Sequence, residues 1–150
     1  MEKRWLTKDE EKKVRGEIKW NIPSLVIPCA LIIGILGVGL YFDPKKSGIA
    51  AIFFLPVAGI LFRLVFREFR DLRRITEKRY VIKEFEIVDT GSGYALGKMQ
   101  KYVTLREVNS DVEENVNTSG SYYVFAENNF VYGIEIEGRK KRIYFGGRKA

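Results

Sequence analysis

Histidine is absent from the 150 residues, and cysteine occurs once, at Cys29. Without imidazole there is no histidine metal site, no Ser-His nucleophile pair and no histidine proton shuttle. One cysteine closes no disulfide framework within the chain and builds no thiolate cluster. Proline stops at Pro56, so no later strand is interrupted by one. Charge is missing altogether from Asn21 to Phe42, twenty-two consecutive residues, and from Ser47 to Phe66 only Arg63 is charged. At ~1.5 Å per residue a helix over the first stretch spans about 33 Å, enough for a bilayer core. With Asp43-Pro44-Lys45-Lys46 as the one break, residues 21–66 read as a two-helix transmembrane hairpin. A buried soluble hairpin is the alternative, but a core helix rarely lacks polar residues so completely.

What is present in excess is positive charge: +7 net, with a pI near 9.5. Such a balance invites a nucleic-acid reading, and its distribution argues against one. Seven basic residues precede the first span, from Lys3 to Lys19; seven close or follow the second, from Arg63 to Arg79; only Lys45 and Lys46 lie between. That is the positive-inside pattern, with both termini cytoplasmic and a minimal outer turn, as in a multi-pass protein of the cell (inner) membrane. A cleavable signal peptide is not expected, because the apolar run begins after a charged arm of 20 residues and is too long.

Four regions follow: an amphipathic cytoplasmic arm over 1–20, the hairpin over 21–66, a basic helical stalk over 67–79, and a β-domain over 80–150. In the arm, Thr7-Lys8-Asp9-Glu10 matches a capping box. Val14 and Ile18 share one face, with Trp5 and Leu6 just upstream, so the helix either lies on the anionic leaflet, docks on a partner, or is a solvated lead-in. In the first span Pro28 should kink or loosen one turn, and Ala30-x-x-x-Gly34 with Gly37 offers close helix packing, matched by Ala58 and Gly59 in the second. Each helix is the expected partner of the other; a groove for a different subunit is the second reading. Neither span has an ionisable residue near its middle, which argues against transport. Arg67, Arg70, Arg73 and Arg74 repeat at helical spacing along the stalk, suiting anionic headgroups or simple orientation.

From Tyr80 the period becomes two. Strands are expected at 80–88, 101–108, 112–116, 121–127, 130–137 and 142–145, with turns at Asp89-Thr90-Gly91-Ser92-Gly93, Asn117-Thr118-Ser119-Gly120 and Gly138-Arg139-Lys140. The expected class is α+β: the transmembrane hairpin plus a small antiparallel β-barrel or curled sheet.

Ile75-Thr76-Glu77-Lys78-Arg79-Tyr80-Val81-Ile82 resembles the Ile-Thr-x-x-Arg turn of bacterial pleckstrin-homology-like (PH-like) domains. Residues 102–108, Tyr-Val-Thr-Leu-Arg-Glu-Val, are similar to that family's Leu-x-x-Val strand, and 132–146 to its closing hairpin: a glycine-led strand, a basic turn and an aromatic strand. The resemblance implies a PH-like domain behind a two-helix anchor. Two departures accompany it. A basic helical run stands where the family has its first strand, and the chain stops at Ala150, where the packing helix would begin.

No catalytic constellation emerges. Asp111, Glu113 and Glu114 read as a solvated edge, and Gly91-Ser92-Gly93 lacks the lysine of a phosphate loop. Arg139-Lys140-Lys141-Arg142, four cations at a hairpin tip, is the candidate site for phosphate or lipid headgroups, against an ordinary charged turn. The expected function is a non-enzymatic membrane-anchored module that binds a protein partner or the membrane surface, or else an accessory subunit of a larger membrane complex. The expected partners are the lipid bilayer, anionic headgroups, and a protein or second copy, with no nucleic acid, metal or cofactor.

Overall fold

A computed structural model describes residues 4–118 and 122–150. Within these, the chain forms two compact units, residues 15–76 and residues 1–14 with 77–150. The expected loop at Ser119-Gly120 and strand start at Ser121 lie outside the described residues, as do Met1 to Lys3.

The first helix, α1 (Lys8–Phe42), is continuous from the arm through the apolar stretch, including Pro23 and Pro28. The second, α2 (Pro44–Thr76), continues through the stalk. Only Asp43 separates them. It caps α2, its Oδ1 accepting the Lys46 N–H at 3.3 Å, and Pro44 takes the first helical position, where a missing N–H costs nothing. The two helices fold back on each other: Gly39 faces Ser47, the Cys29 thiol donates to the Ala58 carbonyl at 3.7 Å, and Arg15 bonds Thr76 at 2.5 Å. The inward positions on α1, Leu25, Cys29, Ile32, Leu36 and Gly39, recur every three or four residues, and those on α2, Ser47, Ala51, Ala58, Leu61 and Val65, at three, four or seven, the spacing of one helix face. Both helices are long and apolar enough to cross a membrane, and only 11% and 6% of their apolar windows are buried.

The other unit is a five-stranded antiparallel sheet of β1 (Tyr80–Ala95), β2 (Lys98–Glu107), β3 (Glu113–Asn117), β4 (Phe130–Ile136) and β5 (Ile143–Arg148), in the order β3-β2-β1-β4-β5. The sheet is open, with β3 and β5 at its edges, and does not close into a barrel. A short helix, α3 (Tyr122–Ala126), lies between β3 and β4.

Two expectations fail here. Within the stretch read as a strand over 121–127, the described residues Tyr122–Ala126 form α3. A strand would place Tyr123 and Phe125 on the same face, yet Tyr123 is 62% exposed and Phe125 is 3% exposed. A helical turn instead buries the adjacent Val124 and Phe125 together, against Phe85, Val103, Leu105, Val131 and Tyr144. Asn128 holds the helix end, donating to the Val124 carbonyl at 2.8 Å. The aromatic run has strand propensity, but one sheet face needed a cover, and burial outweighed propensity.

The glycine-rich stretch 89–93 is not a turn either. It lies inside β1, just past a bulge between Ile87 and Asp89. The chain reverses at Leu96-Gly97, both with positive φ (53° and 73°), between the paired Ala95 and Lys98. Two left-handed residues match the right-handed twist of a two-residue hairpin.

The opposite face of the sheet is apolar as well. Ile134, Ile136, Ile143 and Phe145 are buried there, and the register sets Tyr80 beside Ile136 and Ile82 beside Ile134. The N-terminal segment docks on this unit: Trp5 meets Tyr80 edge-on at 5.8 Å, and the Leu6 N–H donates to the Tyr80 hydroxyl at 3.2 Å. The Arg4 guanidinium lies 4.5 Å over the Tyr132 ring. Trp5 is thus engaged within the chain. The capping box forms, with Glu10 N–H donating to Thr7 Oγ1 (3.3 Å) and Thr7 N–H to Glu10 Oε2 (2.9 Å).

Candidate functional site

The basic turn joins β4 to β5 and is closed by the Arg139 N–H donating to the Ile136 carbonyl at 2.9 Å. Its four cations are not equivalent. Lys140 and Lys141 are exposed, and no partner is seen for either among the described residues. Arg139 is half-buried and engaged. Arg142 points back across the sheet, where it bonds Glu135 and Glu114 and lies 4.9 Å over the Phe85 ring. Lys83 completes the row, 3.4 Å from Glu107 and 3.5 Å from Glu135. The five residues Lys83, Glu107, Glu114, Glu135 and Arg142 form a polar rim beside the core that α3 covers.

Electrostatics follow from that geometry. Burial works against the charge of Arg142, but the hydrogen bonds to Glu135 and Glu114 outweigh it and raise its pKa. Burial likewise opposes ionisation of Glu135, and the guanidinium of Arg142 and the ammonium of Lys83 overcome it, so its carboxyl lies below the ordinary range. Tyr144, largely buried, has its hydroxyl pKa pushed up by that burial, only partly offset by Arg142. Arg142 is therefore a structural cation of the sheet, and the candidate headgroup contact narrows from four residues to Lys140 and Lys141. What separates them is the strand register, which no local sequence signal sets: Ile143 pairs with Ile134, which brings the residue just before β5 beside Glu135.

Of the carboxylates read as a solvated edge, Glu113 bonds Arg106 at 2.6 Å and Glu114 bonds Arg142. In the stalk, Arg67, Arg70 and Arg73 are exposed while Glu68 and Asp71 are buried.

The five small residues proposed for helix packing also divide. Ala58 is buried at the α1–α2 seam. Ala30, Gly34, Gly37 and Gly59 are exposed, and a Cβ on any of the three glycines would meet nothing within 4 Å. The seam uses Cys29 and Gly39 instead; a Cβ on Gly39 would sit 2.6 Å from Ser47 Oγ. The three-and-four spacing from Leu25 to Gly39 was the available signal. The outward-facing small residues contribute to a shallow groove of about 350 Å³, lined by Ala30, Leu31, Gly34, Ile35 and Val38. Among the described residues, no group of three or more cysteine or acidic side chains is placed to hold a metal ion.

Compared with protein-family models, curated proteins and solved structures, the chain matches none.

Proposed function

We propose that this chain is a non-enzymatic, membrane-anchored module whose sheet unit works at the bilayer surface. The observation that carries the reading is the outer surface of α1 and α2. Ile27, Leu31, Ile35, Ile52, Phe53 and Phe62 are all exposed, and water is a poor neighbour for apolar area at ~25 cal/mol per Å². Lipid removes that cost. The flanking basic residues favour an inner-membrane hairpin with both termini cytoplasmic. A PH-like assignment for the sheet unit is supported by the order of the three motifs and by the antiparallel closing hairpin β4–β5.

Lys140 and Lys141 are the surface contact in this reading, each contributing about 1 kcal/mol near anionic lipid. The test holds the full chain in nanodiscs of neutral lipid and measures capture of added anionic vesicles. Capture is expected, released by salt, and weakened roughly thirtyfold in Lys140→Ser/Lys141→Ser, since ~2 kcal/mol is lost. Absence of capture by the wild type, or equal capture by the variant, overturns the lipid contact and leaves a protein partner as the ligand of the module.

A second reading, an accessory subunit of a larger membrane complex, is favoured by the outward position of Ala30 and Gly34. Small residues facing away from the hairpin seam permit close approach of a further helix. Purification in mild detergent followed by mass spectrometry separates the two, because an accessory subunit co-purifies in fixed stoichiometry with its complex.

A further inference from the structure

β1 and β2 run well past the strands that flank them. β4 accompanies β1 only from Tyr80 to Glu86, and β3 accompanies β2 only from Tyr102 to Arg106. Beyond both limits residues 92–95 pair with 98–101 and, among the described residues, with no other strand. The sheet therefore extends a two-stranded ribbon that ends at Leu96-Gly97.

The composition of that ribbon end is opposite to what a solvated hairpin tip needs. Leu96 is 100% exposed, Tyr94 79% and Met99 60%. Tyr94 and Met99 are direct cross-strand partners, so they share one face, and Leu96 stands at the apex beyond them. Leu96 also occupies a left-handed conformation, φ 53°, where asparagine, aspartate or glycine is the favoured residue. A bulky apolar side chain at a strained, fully exposed apex runs against both local preference and solubility, and such conflicts concentrate at functional positions.

Charge identifies the occupant. From Thr90 to Lys101 the ionisable side chains that carry charge at neutral pH are Lys98 and Lys101, with no acid. Ser92 pairs with Lys101 as Tyr94 pairs with Met99, so Lys101 lies on the face of the apolar pair, two residues behind it. At ~3.4 Å per residue that offset is about 7 Å. An interfacial element buries its apolar side chains about 5–10 Å into the headgroup and acyl boundary. Lys101 then sits at the headgroups when Tyr94, Leu96 and Met99 sit below them, its stem reaching along the ribbon.

We infer that the β1–β2 ribbon end, Tyr94 to Met99, is a membrane-inserting tip that enters the interface of an anionic bilayer, with Lys98 and Lys101 on the phosphates. The inference rests on the membrane-anchored reading above and adds to it an apolar point of contact distinct from Lys140 and Lys141. A tip of three apolar side chains is a weak binder alone. On a chain already held at a bilayer it acts at high effective concentration and needs little intrinsic affinity.

The test uses the full chain with Cys29→Ala, in nanodiscs containing phosphatidylglycerol, with a polarity-sensitive dye on Leu96→Cys. The same dye on Asn109→Cys, in the exposed β2–β3 turn, is the control. Dye at position 96 is expected to emit to the blue and to be quenched about twofold or more by spin-labelled lipid, as for a group in the acyl boundary. The dye at 109 is expected to show neither effect, and both effects at 96 should be lost in Tyr94→Ser/Met99→Ser and reduced in phosphatidylcholine alone. Aqueous emission at 96 from chain that co-elutes with the nanodisc overturns the tip and leaves the anchor intact, as does quenching unaffected by Tyr94→Ser/Met99→Ser. Chain that fails to enter the nanodisc at all overturns the anchored reading and the tip together.

Discussion

The guanidinium of Arg142 lies among Glu135, Glu114 and the ring of Phe85, whereas its neighbour Lys141 faces solvent. Adjacent cations in one turn thus do different work, because a strand alternates its side chains and a turn does not. The Glu135 carboxyl, held below its ordinary range by Arg142 and Lys83 against the effect of burial, makes the pair pH-dependent in a defined direction. A carboxylate that binds its proton less tightly in the folded state stabilises the fold above its unfolded value, about 4.3 for glutamate. That contribution disappears as pH falls through 4.3 to the lowered folded value, a window set by the reference pKa and the shift. Thermal unfolding of the wild type and of Glu135→Gln between neutral and acid pH measures it. The wild type should be the more stable at neutral pH and the difference should vanish in acid; a difference that persists unchanged in acid would contradict the ion-pair account. Gly133 shows a constraint of another kind: a Cβ there would lie 3.0 Å from Phe85 and 3.1 Å from Tyr144, so the two rings close over a position that only glycine fills without displacement.

At the scale of elements, α3 is the piece on which pattern and structure part. Tyr122-Tyr123-Val124-Phe125 reads as a strand by composition, and the chain makes a helical turn because Val124 and Phe125 must reach the same apolar face. The two alternatives make opposite demands on Tyr123. In a strand it is core with Phe125; in the helix it is exposed. Phe125→Ala is expected to cost about 3–5 kcal/mol, and Tyr123→Ala to stay within about 0.5 kcal/mol. Denaturant midpoints of the two variants in detergent, followed by the β-sheet circular dichroism signal, check this. Comparable losses at both positions would restore the strand. The turn falls elsewhere for a related reason: Gly91-Ser92-Gly93 carries turn chemistry, but the ladder from Asp89 to Ala95 holds it in register with β2, and the reversal falls on Leu96, which no propensity selects.

For the molecule as a whole, the seven–two–seven division of basic residues is the basis of the proposed orientation, with both ends of the chain on one side of the membrane and Asp43 with its neighbours on the other. Cysteine scanning in intact cells tests it. In a Cys29→Ala background, an impermeant maleimide added from outside should label Ser47→Cys and leave Asn109→Cys unlabelled until the cells are opened. Labelling of Asn109→Cys alone in intact cells would invert the orientation.

The sequence by itself determined the two apolar helices, the break between them at Asp43-Pro44, the capping signal at Thr7, and the change to a period of two at Tyr80. All of these are local: an uninterrupted apolar run, a side chain that satisfies its neighbour's N–H, an alternation along one strand. Tertiary structure decided which small residues form the α1–α2 seam, that the sheet stays open, that residues 122–126 coil, and that Arg142 leaves the basic turn for Glu135. Each of these depends on which distant surface needs covering or which distant charge lies within reach, and neither is written within a few residues of the position it governs.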